Sequence, residues 1–265
     1  MTRIALGLEY DGCAFNGFQY QSHAPSVQGA LENALSRVAD APVRISAAGR
    51  TDAGVHATAQ VVAFDSPVER PLSAWVRGTN ALSPPGVAVL WARPVPEGFH
   101  PRFQATARRY MYLFYDTEIT SPLISGRAVL SPPLDDEAMH RACRVLIGEQ
   151  DFSAFRAAGC QSATAYRCVH QVCVHRAGGF VVLDITANAF LLHMVRNIAG
   201  SLWKIGQGAD EGWMGELLLG RDRKRAAPTG PAQGLYLVHV RYPDLAFPPG
   251  RLPGLLRALG DLSRF

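Results

Sequence analysis

Read for apolar periodicity, residues 3–95 and 108–242 carry the same succession of elements: strand, helix, strand, strand, helix, strand. No other feature constrains the fold as much. In the first half, RIALGLEY (3–10) reads as a strand. Ser26 is a good N-cap for a helix with Val27, Leu31, Ala34, Leu35 and Val38 on one face. RISAA (44–48) and ATAQVVAFD (57–65) are strands around a loop, PLSAWVRGTNAL (71–82) is a helix with Pro71 at its start, and VAVLWARPV (87–95) is a strand. In the second half RRYMYLFY (108–115) is a strand and DDEAMHRACRVLIGEQD (135–151) an amphipathic helix opened by acids. Residues 166–176 and 180–190 form a hairpin about Gly178-Gly179, 191–206 is a helix with Leu191, Val195, Ile198, Leu202 and Ile205 inward, and 234–242 is the last strand. The expected fold is α/β (α+β): two ferredoxin-like β-α-β-β-α-β units, antiparallel sheets backed by helices, with a central cleft. The units span residues 1–105 and 106–245, followed by a tail, 246–265.

Composition removes several classes. Apolar residues make up 48% of 265, so a packed core is expected. No apolar run reaches the length needed to cross a bilayer, and the start, MTRIALGLEYDG, is too short in its apolar part for a signal peptide; a cytoplasmic protein is expected. Cys13, Cys143, Cys160, Cys168 and Cys173 include no C-x-x-C pair and read as buried free thiols, with no metal site expected from them. The net charge is +4, with 24 Arg against two Lys, Lys204 and Lys224. Arg binds phosphate through a planar fork and stacks on bases. RDRKR (221–225) and the Arg102, Arg108 and Arg109 of HPRFQATARRY (100–110) therefore raise the expectation of a polyanionic partner.

One loop carries charge where its surroundings do not. In AGRTDAGVHATAQ (48–60), Arg50 and Asp52 stand two apart between Gly49 and Gly54, with strand-like sequence on both sides. A salt-bridged turn is the plain reading. A nearby Arg also favours the ionised form of a carboxylate, which suits a nucleophile better than a general acid. There is no G-x-S-x-G, P-loop or G-x-G-x-x-G after a strand, and no second copy of the loop to supply an aspartic-protease pair. His56 follows Asp52 by four with no third ligand at metal spacing and reads as a strand-start histidine.

GRTDAGVHATAQVVAF closely resembles the catalytic motif of the tRNA pseudouridine synthases, of the A-type branch. YDGCAFNGFQYQ (10–21), FHPRFQATARRYMY (99–112), GEQDFSAFRAAGCQS (148–162), ANAFLLHMVRNIAGSL (187–202) and PAQGLYLVHVRY (231–242) look like further segments of that family in family order. The likeness runs to about Pro243 and leaves the tail outside. Phe18 stands where many relatives have Trp, and TNALSPPGVAV departs from the usual Asn-Leu-Pro pattern. The resemblance implies an enzyme that isomerises uridine at positions 38 to 40 of the tRNA anticodon stem-loop, as a homodimer, with no cofactor or metal. It makes Asp52 the nucleophile, Arg50 the residue that helps displace the target base, Tyr110 the ring that packs on the uracil and Arg196 the partner of the catalytic carboxylate. Pattern alone allows Tyr110, with Tyr112 and Phe114 at period two, to be core, and Arg196 to lie at a helix surface. A non-catalytic tRNA-binding protein or RNA chaperone, or the same chemistry on another RNA, are the alternatives.

Overall fold

A computed structural model describes residues 2–119 and 121–257, so residues 258–265 of the expected tail lie outside the described residues. The chain is of mixed α/β class and divides into two compact units, residues 1–106 with 236–253 and residues 107–235 with the C-terminal segment from 254.

The first unit contains β1 (Thr2–Tyr10), α1 (Val27–Ala39), β2 (Ser46–Ala47), β3 (His56–Ser66), α2 (Leu72–Leu82) and β4 (Val87–Pro94). This is the expected strand–helix–strand–strand–helix–strand order. β1 lies between β4 and β3, and β2 pairs with the far edge of β3, all antiparallel, as a split β-α-β pair of repeats requires. Ser26 accepts from the Gly29 N–H and caps α1 as anticipated. Leu31, Leu35, Phe64 and Trp75 are all but fully buried, and the last two meet edge to face at 5.0 Å. Each such side chain stabilises the unit by about 1.5–3 kcal/mol through its removal from water. Glu32, also buried, accepts from Arg44 and from the Ile45 N–H, tying α1 to the approach to β2. The outer edge of β3 is shared: residues 62–63 pair with β2, and His56 and Ala57 pair in parallel with Tyr236 and Leu237. That strand, β10 (Leu235–Arg241), is the one the sequence reading assigned to the second repeat. A two-residue β2 leaves the start of β3 with open backbone groups, and β10 satisfies them.

The second unit holds β5 (Ala107–Asp116), β6 (Val129–Ser131), α3 (Asp136–Cys143), β7 (Gly148–Asp151), β8 (Tyr166–Ala177), β9 (Phe180–Ala187), α4 (Met194–Gly206) and α5 (Trp213–Gly220). Its sheet runs β5-β9-β8-β7, antiparallel throughout, with β6 parallel to the end of β5. The anticipated helix over 135–151 is cut short. It ends at Cys143, passes through one 3-10 turn, and residues 148–151 become β7 because β8 offers them a ladder. Tertiary pairing outweighs helical periodicity there. Leu191, Val195, Ile198, Leu202 and Ile205 are buried as predicted. Of the five thiols only Cys143 is buried, and Cys13 is exposed, which corrects the expectation of uniformly buried thiols. No helix among the described residues is long and apolar enough to cross a membrane.

Candidate active site

Asp52 sits at the first position of a tight turn between β2 and β3. The Val55 N–H closes the turn on the Asp52 carbonyl at 3.1 Å, and Gly54 takes φ +80° at the third position. A turn of this type needs a left-handed residue there, which is what the glycine supplies. Asp52 is half-buried and Arg50 exposed.

The loop is clamped from behind by groups distant in sequence. The Gln60 Nε2 donates to the Gly49 carbonyl at 2.8 Å and lies 3.4 Å from the Tyr10 hydroxyl, which in turn is 2.8 Å from the Thr51 hydroxyl. All three of these side chains are buried. The Phe18 N–H donates to the Thr51 carbonyl at 3.0 Å. A carboxylate on a loop held at Gly49 and Thr51 is preorganised, which is the condition a nucleophile needs.

His56, at the start of β3, is buried and stacked on Tyr236 at 4.5 Å between ring centroids. Its Nδ1 accepts the Gly12 N–H at 3.0 Å and lies 3.2 Å from an Asp11 carboxylate oxygen. Asp11, Cys13 and His56 thus bring three ligand-type atoms within 4.8 Å of one another. The imidazole lone pair is engaged by the backbone, so the group acts as a brace between residues 11–13 and β3.

In the second unit Tyr110 lies on β5, half-buried, with its ring edge-on to Phe190 at 5.1 Å. Tyr112 and Phe114, on the same face, are fully buried. The period-two aromatic row is therefore core at its far end and opens at Tyr110. Arg196, on α4, is half-buried, not the surface residue its neighbours suggested. Its Nε donates to the Gly230 carbonyl at 2.9 Å, and the Gly230 N–H donates back to the Arg196 carbonyl at 3.0 Å. The Tyr112 hydroxyl donates to the Pro231 carbonyl, and burial pushes its ionisation far up while the Arg196 charge pulls it down.

Two basic runs expected to face a polyanion are only partly engaged within the protein. Arg109 grips Asp184 through its Nε at 2.8 Å and one terminal nitrogen, a hydrogen bond that holds its charge. In 221–225, Arg223 donates to the Ala227 carbonyl, to Asn197 and to Thr229, while Arg221 lies near Asp151 and Arg225 near Glu216. Arg102, Arg221, Lys224 and Arg225 are exposed. The sequence reading missed Tyr10, Gln60, Thr51 and Arg223 as supports. Their partners lie far along the chain, and no local pattern marks them.

A family profile described as tRNA pseudouridine synthase matches residues 8–104 and 142–243. A tRNA pseudouridine synthase A of Photorhabdus laumondii is 53% identical over 98% of this chain and 99% of its own. Proteins of the same name from Burkholderia cenocepacia (51%, 94% of each chain) and Aeromonas salmonicida (53%, 93% of each) are similar to the same extent. A chain in a crystal structure titled as a Cbf5-Nop10-Gar1 complex aligns over 88% of this chain and 48% of its own at 11% identity, with a TM-score of 0.40, too slight a likeness to bear on the fold.

Proposed function

This chain belongs to the tRNA pseudouridine synthases, and from that premise we propose how it works: it isomerises uridine to pseudouridine in tRNA with Asp52 as nucleophile. The reading is carried by identity above one half over almost the full length of tRNA pseudouridine synthase A relatives, in a chain whose matching aspartate sits on a clamped turn. The reaction breaks the N1–C1′ bond and forms C5–C1′; C5 gives up its hydrogen and N1 gains one, so atoms balance without an oxidant or a cofactor. The Asp52 carboxylate adds to C1′ or to C6 of the uracil, the base turns, and the bond re-forms through C5. A stacked uridine must first leave its neighbours, at a cost of a few kcal/mol. In this reading Arg50 fills the space left behind and holds phosphate, Tyr110 packs on the uracil, and Arg196 supports the charge of the carboxylate. The target is the anticodon stem-loop, positions 38 to 40. The protein acts as a cytoplasmic homodimer, without metal.

The test uses tRNA transcripts tritiated at uridine C5, with the native protein and Asp52→Asn side by side. Native protein releases tritium; Asp52→Asn keeps tRNA binding and releases none. Turnover by the variant refutes the nucleophile. Binding without release by the native protein places it among non-catalytic tRNA binders, and release from another RNA alone changes the address but not the chemistry.

A further inference from the structure

Phe103 presents a large aromatic ring to water on a loop too well built for that to be slack. It is 76% exposed. Just before it Phe99 is buried, edge-on to Tyr242 at 5.2 Å, and its carbonyl accepts from the Arg3 Nε at 2.6 Å. The Tyr242 hydroxyl, itself buried, donates to the Pro101 carbonyl at 2.7 Å. The Gln104 N–H donates to the His100 carbonyl, and the Arg102 N–H to the His100 Nδ1, both at 3.2 Å. Residues 99–104 are therefore pinned to β1 through Arg3 and to Tyr242 just past β10, and folded on themselves, and the outcome is an outward ring. The His100 ring lies 4.3 Å from it, tilted by 34°, and the Arg102 guanidinium carbon 5.8 Å from its centroid.

A π face backed by an imidazole and flanked by a guanidinium fits a planar group attached to an anion. Nucleotides have that chemistry: any base stacks on an aromatic face, and the adjoining phosphate takes the cation. An apolar protein partner would not call for the exposed guanidinium, and a purely anionic one would not call for the phenyl ring. On the reading that this enzyme acts on tRNA, we propose that Phe103 is a stacking platform for one unpaired base of the RNA substrate, with Arg102 on its phosphate. Its contribution is to binding and not to the chemical step.

The experiment measures affinity for a tRNA transcript at several salt concentrations, with the full chain and Phe103→Ala, →Leu, →Tyr and →Trp, and with Arg102→Gln. Loss of one stacked base weakens binding by about 5- to 150-fold in Phe103→Ala. Phe103→Leu, which keeps apolar area but no π face, falls with it, while Phe103→Tyr and Phe103→Trp hold. Phe103→Ala leaves the salt slope unchanged, whereas Arg102→Gln lowers it by about 0.7–0.9, the loss of one phosphate contact. Emission of Phe103→Trp, read as a difference from the native protein, is quenched when tRNA binds. Leucine as good as phenylalanine, unquenched tryptophan in the bound complex, or an affinity loss that merely follows a change in oligomeric state overturns the proposal. If native protein releases tritium normally and Phe103→Ala binds as tightly, only the platform fails. If native protein neither binds tRNA nor releases tritium, both readings fail.

Discussion

Gln60 shows how a single buried amide can hold the loop that bears Asp52. Its Nε2 holds the carbonyl of Gly49 beside the Tyr10 hydroxyl, one residue before Arg50. Gln60→Leu keeps the volume but leaves the half-buried Gly49 carbonyl without its donor, a cost of about 1–3 kcal/mol. Thermal unfolding should come earlier, and tritium release should fall further than tRNA affinity. Unchanged release would show that the turn holds Asp52 without this support. A second residue sets a pH dependence. Burial, aided by the charges of Arg109 and His140, keeps His175 below its usual value of 6.5 against the opposing pull of Asp184 and Asp136. The unfolded chain therefore takes up a proton first as pH falls. The stability linked to neutral His175 is present above 6.5 and is lost as pH drops through the folded value. Urea midpoints at pH 7, 6 and 5 should fall less steeply in His175→Gln than in the native protein.

At the scale of elements, α4 depends on the segment docked against it. Arg223 joins Asn197 to Thr229 and to the Ala227 carbonyl, and Gly230 exchanges bonds with Arg196. A methyl group at Gly230 would come within 2.7 Å of the Tyr112 hydroxyl and 3.0 Å of the Arg196 carbonyl. Gly230→Ala should thus displace the Arg196 guanidinium and slow release, while Arg223→Gln should cost about 1–3 kcal/mol in urea unfolding by leaving buried acceptors short of a donor. Equal release from both variants and the native protein would mean that Arg196 does not act through this dock. The same elements mark the limit of local reading. The first repeat was legible because β1, β3 and β4 are long and both its helices amphipathic, α1 with a Ser cap. β6, three residues long, and β7, polar and adjoining a helical period, carried no signal of their own. Arg109 and Arg223 looked like ligands for a polyanion because a local window shows cations and hides Asp184 and Asn197, which only the folded chain brings to them. The Arg50–Asp52 loop stood out through its charges and its likeness to a known motif, but Tyr10, Thr51 and Gln60, which hold it, are joined by contacts some 10 to 50 residues apart.

For the whole molecule, the division of the chain matters more than its net charge. The first unit is made from both sides of the second in sequence, since residues 236–253 are compact with residues 1–106. A chain ending at Leu235 lacks the strand that pairs with His56 and Ala57 and the ring that stacks on His56. Amide hydrogen exchange at residues 56–57 should then be far faster than in the complete protein, while α3 and β8 stay protected; equal protection at 56–57 would show that β10 is dispensable. During synthesis the segment bearing Asp52 emerges early, and domains tend to fold in the order in which they are made. Here that order is broken. The turn bearing Asp52 leads into His56, whose stacking ring Tyr236 is made far later, so an unfinished chain still on the ribosome, surrounded by tRNAs, carries the proposed nucleophile on an uncompleted support.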